Sequence, residues 1–257
     1  MVYELFLIAV FGFFLASLAS FFQVVIYRTN REESFVTGRS RCEHCHKQIA
    51  WFDNIPLYSF LVLGGRCRSC RKSIAISHFV LEFLAFVSAF SVYWWPTIDL
   101  LASLQFFFFF ILFFVIVADL RYLLIPDFFV VLASILALGI VSLSEGNWLE
   151  ILGSIGVALG FFMLLYYLAK RSLHKEALGF GDIKLMIPLA LILPWPLIIV
   201  QIFLAFISGG IFATLVLLLR LKKFGQSLPF APFLIVSFIA TYFFGETIWQ
   251  WYTGLLF

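Results

Sequence analysis

Leu178-Gly179-Phe180-Gly181-Asp182-Ile183-Lys184-Leu185 interrupts two apolar runs and sets one carboxylate, Asp182, where a new apolar segment begins. An acid there needs a reason. Ionised, it loses hydration as it approaches hydrocarbon, so an acid in or beside a membrane span is a functional-site hypothesis by default. Gly179 and Gly181 carry no Cβ, which lets the backbone turn sharply and approach a partner closely. The partner in view is Asp119, at the end of another apolar run, in Asp119-Leu120-Arg121-Tyr122-Leu123-Leu124-Ile125-Pro126-Asp127.

The composition makes the setting a membrane. Of 257 residues, 63% are hydrophobic and 12% charged, with a mean hydropathy of +1.08, against roughly 25% charged in soluble domains. A span needs about 20 mostly apolar residues, and such runs lie near 4–26, 78–95, 100–118, 128–144, 149–169, 183–195, 197–219 and 230–255. The expected fold is an all-α polytopic membrane protein of about eight transmembrane helices with a small cytoplasmic zinc-ribbon segment. Trp95-Pro96-Thr97 joins the second run tightly to the third, and the sixth is short. The Phe106 to Phe110 run suits a lipid-facing surface. Ala16-Ser17-Leu18-Ala19-Ser20 mimics a signal cleavage site, but the apolar run continues to Ile26 and meets Arg28, so an uncleaved first span is expected.

Charge sets the orientation. Lys and Arg near span ends are retained on the cytoplasmic side. With the N-terminus outside, all 17 fall in 27–77, 119–127, 170–184 and 220–229, while the opposite ends carry Glu4, Asp99, Glu145, Glu150 and Glu246. Asp119 and Asp182 are two crossings apart, so both are expected at the cytoplasmic boundary. The same orientation puts all four cysteines, Cys42, Cys45, Cys67 and Cys70, in the first cytoplasmic segment, where disulfides do not persist. Two C-x-x-C pairs match a four-thiolate zinc ribbon, whose metal is structural because no ligand position is left for water. His44 and His46 flank the first knuckle and are expected to be solvated.

Asp182 has a bland reading as a cap on the free N–H groups of the sixth span. Asp119 does not, because it ends a helix whose dipole disfavours negative charge there. Asp127 has a capping account at the start of the fourth span and is assigned, with Gly179, Gly181 and Lys184, to support of the site. Lys184 either pairs with an acid or snorkels. The sequence shows that the two acids share a depth; two carboxylates that are also near one another in a weakly hydrated site cannot both ionise cheaply, so one pKa rises and the pair shares a proton. That is the arrangement of an aspartyl protease, in which one acid takes a proton from water and the other polarises the scissile carbonyl. Glu82 is placed facing the bundle, His78 and His174 at boundaries, and Gly153, Gly156, Gly160 and Ser208-Gly209-Gly210 at close helix contacts.

These residues resemble the type IV prepilin peptidases over nearly the whole chain. Ala19 to Arg28 is similar to the end of that family's first span. Trp51-Phe52-Asp53-Asn54-Ile55-Pro56-Leu57-Tyr58-Ser59-Phe60 is similar to its D-N-I-P-L-x-S segment, and Gly64-Gly65-Arg66-Cys67 follows in place. Asp119 to Asp127 matches D-x(6)-P-D, and Gly179 to Lys184 matches G-x-G-D-x-K. The resemblance implies that Asp119 and Asp182 are the catalytic pair of an intramembrane aspartic endopeptidase in a bacterial inner membrane. Its implied partners are membrane lipid and a pilin or pseudopilin precursor with a basic leader, with no nucleic acid. It implies a first helix (1–26), a zinc-ribbon segment (27–77) and a transmembrane peptidase domain (78–257). Many members also methylate the new N-terminus with S-adenosylmethionine, an activity associated with the first cytoplasmic segment. Three positions depart from the family: Gln23 stands for Asn, Ser77-His78 for an Arg-Tyr-Pro type sequence, and Ala231 for Gly in Pro229-Phe230-Ala231-Pro232. No nucleotide-binding motif marks a methyl-donor site.

Two other classes compete. A transporter or proton-relay protein would use paired acids to bind a cation or pass protons, and a zinc-ribbon assembly factor would have no catalysis of its own.

Overall fold

The computed structural model describes residues 2–94, 99–173, 179–223 and 226–255. Trp95-Pro96-Thr97 and His174, read above as a joint and a boundary residue, lie outside them. Contacts divide the chain into two compact units, Met1–Ile98 and Asp99–Phe257.

The first unit holds α1 (Val2–Asn30), α2 (Tyr58–Val62) and α3 (Ile76–Ser88), the last followed by a 3-10 turn over Ala89–Trp94. α1 and α3 pack along one another. A Cβ at Gly12 would meet the Phe86 carbonyl oxygen at 3.0 Å, so the close approach requires glycine there. Two of the family departures meet at this seam. His78 Nδ1–H donates to Gln23 Oε1 at 2.8 Å, and Gln23 Nε2 donates to the His78 carbonyl at 3.4 Å.

The segment between α1 and α3 is built from short devices rather than an apolar core. Arg28 forks into the carbonyls of Ser34, Thr37, Gly38 and Arg39 at 2.7–3.4 Å and rolls up the chain that follows α1. Arg41-Cys42-x-x-Cys45-x-Lys47-x-Ile49-Ala50 recurs as Arg66-Cys67-x-x-Cys70-x-Lys72-x-Ile74-Ala75. The repeat folds twice in the same way. Cys42 N–H bonds the Lys47 carbonyl and Cys67 N–H that of Lys72, while His46 and Arg71 take left-handed φ values of 55° and 60°. Arg41 bridges Gln48 as Arg66 bridges Ser73. Arg68, inside the second knuckle, grips Asp53 of the linking stretch at 2.7–3.1 Å, and the hydrogen-bonded guanidinium holds that carboxyl below the usual range.

The second unit contains α4 (Leu100–Tyr122), α5 (Asp127–Leu143), α6 (Trp148–Leu173), α7 (Phe180–Ile192), α8 (Leu197–Leu218) and α9 (Ala231–Gly254). Among the described residues, α1, α4, α6, α8 and α9 are long and apolar enough to cross a membrane, and α3 and α5 are shorter apolar helices. With the 13-residue α7, these occupy the eight expected runs. The protein is an integral membrane protein.

Two expectations fail on helical geometry. A helix turns about 100° per residue, so five consecutive phenylalanines must cover every face. Phe108 is 1% exposed and packs on Phe238 at 5.7 Å between ring centres, so the Phe106 to Phe110 run is half core rather than a lipid strip. A Cβ at Gly153, Gly156, Gly160 or Gly210 would meet no described atom within 4 Å; only Gly209 sits in a tight contact, 3.1 Å from Phe230. Gln201 is fully buried and donates to the Leu234 carbonyl at 3.1 Å, pinning α8 to α9.

Candidate active site

Asp119 and Asp182 come from α4 and α7 of the second unit. α4 continues one turn past Asp119 and stops at Tyr122, with Leu123 left-handed at φ 53° and its N–H on the Asp119 carbonyl. The chain then doubles back through Ile125 and Pro126 into α5. Asp119 therefore lies inside the last turn of its helix, 5% exposed. The glycine pair brings Asp182 to it. A Cβ at Gly181 would lie 3.2 Å from Ile125 Cβ, so the bare backbone of α7's first turn rests against the loop that leads away from Asp119.

Asp182 is in the first turn of α7 and 8% exposed. Its carboxylate folds back over Gly179, where a Cβ would come within 3.1 Å of Oδ2. The bland capping account is thus partly realised, since the Gly179 backbone N–H acts on that carboxylate. Capping does not exhaust it, because the Asp119 charge also bears on Asp182. Both acids are buried, and the charge of one bears on the other.

The supporting pair is arranged differently from its expected form. Pro126 precedes α5 and Asp127 is its first residue, with no side-chain cap on the helix. The Asp127 carboxylate instead takes Lys184 Nζ at 2.7 Å, and Lys184 also sits over the Phe180 ring at 5.1 Å. Lys184 therefore pairs rather than snorkels. This ion pair and the Gly181–Ile125 contact tie the two motifs together at two points.

One partner was not foreseen. The Ala231 N–H, at the first residue of α9, donates to Asp119 Oδ2 at 2.9 Å. Its donor is a main-chain group 112 residues away, which no side-chain pattern announces; the only signal was the Pro229 to Pro232 segment, noted for its departure from a family pattern.

In the first unit, the four cysteine sulfurs lie within 4.8 Å of one another, and Cys42 Sγ is 3.8 Å from Cys70 Sγ. Four sulfurs at about 2.3 Å from a common zinc are about 3.8 Å apart in a tetrahedron, so this donor set fits that ion. Backbone N–H groups of Cys70 and Ser69 draw the Cys67 thiol down to about 7. Cys70 goes the other way: the Lys72 N–H works to lower it, but lost hydration and the sulfurs of Cys67, Cys45 and Cys42 push it up to about 11. Thiolates so close need a cation among them. His44 and His46 are exposed.

The sequence matches two family profiles in tandem, the Bacterial Peptidase A24 N-terminal domain over residues 11–96 and the Type IV leader peptidase family over residues 106–214. Three relatives are each named prepilin leader peptidase/N-methyltransferase. One, from Pectobacterium carotovorum, is 32% identical over 77% of this chain and 71% of its own. One from Legionella pneumophila is 28% identical over 98% and 96%, and one from Vibrio cholerae is 28% identical over 88% and 92%. No solved structure matches. Relatives that cover most of both chains and are named as enzymes leave the transporter and assembly-factor readings unsupported. With both profiles matched in order and the Pectobacterium carotovorum relative aligned over most of its length, the chain belongs to the type IV leader peptidase family.

Proposed function

We propose that this protein is a prepilin leader peptidase, cutting the basic leader from pilin-like or pseudopilin precursors with Asp119 and Asp182 as its catalytic pair. The observation that carries the reading is that both carboxylates are buried on motifs joined by the Gly181–Ile125 contact, with the Asp119 charge felt at Asp182 and the Ala231 N–H on Asp119. In the reaction, the ionised acid takes a proton from water as the oxygen attacks the scissile carbonyl. The protonated acid donates to the carbonyl oxygen, and a proton then passes to the leaving amine. Asp127 and Lys184 hold α5 against α7 and keep the acids in register.

The distribution of Lys and Arg supports an outside N-terminus, with the ribbon and both acids on the cytoplasmic side of a bacterial inner membrane. A basic leader that stays in the cytoplasm, joined to an apolar helix that enters the bilayer, puts its scissile bond at the depth of such acids. Cys42, Cys45, Cys67 and Cys70 hold a structural zinc, which closes the two knuckles into one body in a segment with little apolar core. The names of the relatives support a second step, transfer of a methyl group from S-adenosylmethionine to the new N-terminus. The test is incubation of purified protein with a leader-bearing precursor in detergent, followed by sequencing of the product N-terminus. Asp119→Asn and Asp182→Asn must each abolish cleavage while leaving the protein folded.

A further inference from the structure

The chain that links the two knuckles has two unlike sides. Asn54, Ile55, Ser59 and Phe60 line the cavity between α1, α3 and the ribbon, whereas Trp51, Tyr58, Leu61 and Val62 stand outside that lining. All four are exposed, Trp51 to 80% and Leu61 to 66%. Tyr58, Leu61 and Val62 follow helical spacing, so α2 turns one apolar face outward. In water such a face would be a liability.

Its position along the helices accounts for it. Gln23 bonds His78 at the seam, five residues before Arg28, and Glu82 is one turn further along α3. Glu82 therefore lies about 13 Å along the helix pair from the level of Arg28, beyond Phe21 and Val80, which both present apolar side chains outward. Leu57 is held to it, its N–H donating to Glu82 Oε2 at 2.9 Å. Helical side chains lean toward the start of their helix, so Leu57 itself stands somewhat nearer the ribbon. Phe60 stacks on Phe79 at 4.9 Å and Phe79 on Phe83 at 6.1 Å between ring centres. Phe83 belongs to the exposed apolar stripe of α3, with Ile76, Val80 and Leu84. α2 is thus continuous with a helix flank that meets lipid. Its backbone is closed accordingly. Leu57, at φ 62° and ψ −54°, turns the chain so that the Tyr58 N–H reaches the Pro56 carbonyl at 2.6 Å. The N–H groups of Ser59, Leu61 and Leu63 end on the carbonyls of Ile55, Leu57 and Ser59, and the Ser59 hydroxyl donates to the Phe52 carbonyl at 2.9 Å. Main-chain groups at membrane depth need such partners, because lipid offers none.

Charge points to the same surface. Residues 27–77 hold nine Lys and Arg against four acids. Arg68 is taken by Asp53, but Arg66, Arg71 and Lys72, which follow α2, are exposed and in no ion pair among the described residues. We propose that residues 51–62 are a foot lying in the bilayer surface, with Trp51, Tyr58, Leu61 and Val62 in the boundary between headgroups and acyl chains. Arg66, Arg71 and Lys72 then rest on the phosphates of anionic lipids. Trp and Tyr are the side chains that settle at this boundary, and Lys and Arg close to an anionic surface are drawn to it. With five residues, α2 lies in the interface and cannot cross. The foot ties the ribbon down between α1 and α3, so the segment read from sequence as cytoplasmic is in part a membrane element. The proposal rests on the first unit's surface alone and stands apart from the peptidase and methyl-transfer readings.

The test uses the full chain in nanodiscs of phosphatidylcholine and phosphatidylglycerol, with one lipid or the other brominated in its acyl chains to quench tryptophan emission. The signal of Trp51 is the difference between wild type and Trp51→Phe. That difference is expected to be quenched by brominated lipid and largely spared by acrylamide in the water. Brominated phosphatidylglycerol is expected to quench about twofold more than brominated phosphatidylcholine at equal mole fraction, and the combined Arg66→Gln, Arg71→Gln and Lys72→Gln variant to lose that excess. Leu61→Trp in the otherwise native chain is a second reporter, on α2, expected to behave as Trp51 does. Unchanged melting temperature and zinc content show that each variant is folded. Emission of Trp51 and of Leu61→Trp that acrylamide quenches and brominated lipid leaves untouched overturns the proposal, and equal quenching by the two lipids overturns its anionic part. Acrylamide quenching that is lost only when a leader-bearing precursor is added also overturns it, and makes the face a protein-docking surface instead.

Discussion

The Ala231 N–H donates to Asp119 Oδ2 at 2.9 Å, joining the start of α9 to the end of α4 through a main-chain donor. Because the donor is backbone, Ala231→Gly keeps it, whereas Asp119→Ala strands a buried N–H. An unsatisfied buried group costs about 1–3 kcal/mol. Asp119→Ala is therefore expected to be less stable than Asp119→Asn by that amount in thermal unfolding in detergent, although both are inactive. Equal stability of the two would mean that the N–H has another acceptor.

A methyl group at Gly181 would crowd the loop, since its Cβ would lie 3.2 Å from Ile125 Cβ, an atom fixed to the backbone. Gly181→Ala is expected to push α7 from the Asp119 loop and lower kcat for leader cleavage at least tenfold. Pairing it with Ile125→Ala, which leaves Cβ but frees its branches, should recover part of the loss. A double mutant no better than Gly181→Ala alone would place the damage elsewhere.

The Lys184–Asp127 pair is open to solvent, with side chains 35% and 69% exposed. Screening limits its worth to about 1 kcal/mol or less, so its removal should scarcely move the melting temperature. Asp127→Asn and Lys184→Met are each expected to lower cleavage several-fold and leave residual activity, through loosening of the two motifs. Complete loss of cleavage in Asp127→Asn, as in Asp119→Asn, would make Asp127 a member of the catalytic pair.

For the ribbon, one zinc per chain is expected by metal analysis, and Cys42→Ser or Cys67→Ser should reduce it. Without the ion, the two knuckles share few apolar contacts to keep them folded. Chelation should then expose the Lys and Arg of residues 31–75 to trypsin while the second unit stays protected. A ribbon equally resistant with and without metal would contradict the structural role given to zinc.

Much of this was legible in the sequence because membrane solvation leaves a strong imprint. Eight apolar runs appear as eight helices among the described residues, and Asp119 and Asp182 are both buried, in the last turn of α4 and the first turn of α7. What escaped notice had other causes. Uniform composition hides the helical period of the Phe106 to Phe110 run, so nothing in the sequence marks Phe108 as facing Phe238. Gly153, Gly156 and Gly160 show the spacing of a packing motif but meet nothing, since glycine permits close contact without requiring it. The Ala231 to Asp119 bond is main-chain and distant in sequence. The Leu57–Glu82 bond depends on a positive φ that leucine rarely adopts. The duplicated knuckle is legible in the repeated Arg, Cys, Cys, Lys, Ile and Ala of 41–50 and 66–75.

The account depends above all on Asp119 and Asp182 acting as a pair. Its most direct test is the N-terminal sequence and yield of product from a leader-bearing pilin precursor incubated with wild-type, Asp119→Asn and Asp182→Asn protein of equal melting temperature and zinc content. Cleavage at the junction of leader and apolar helix by wild type, and none by either variant, is the predicted result. Cleavage at the wild-type rate by either variant would contradict it.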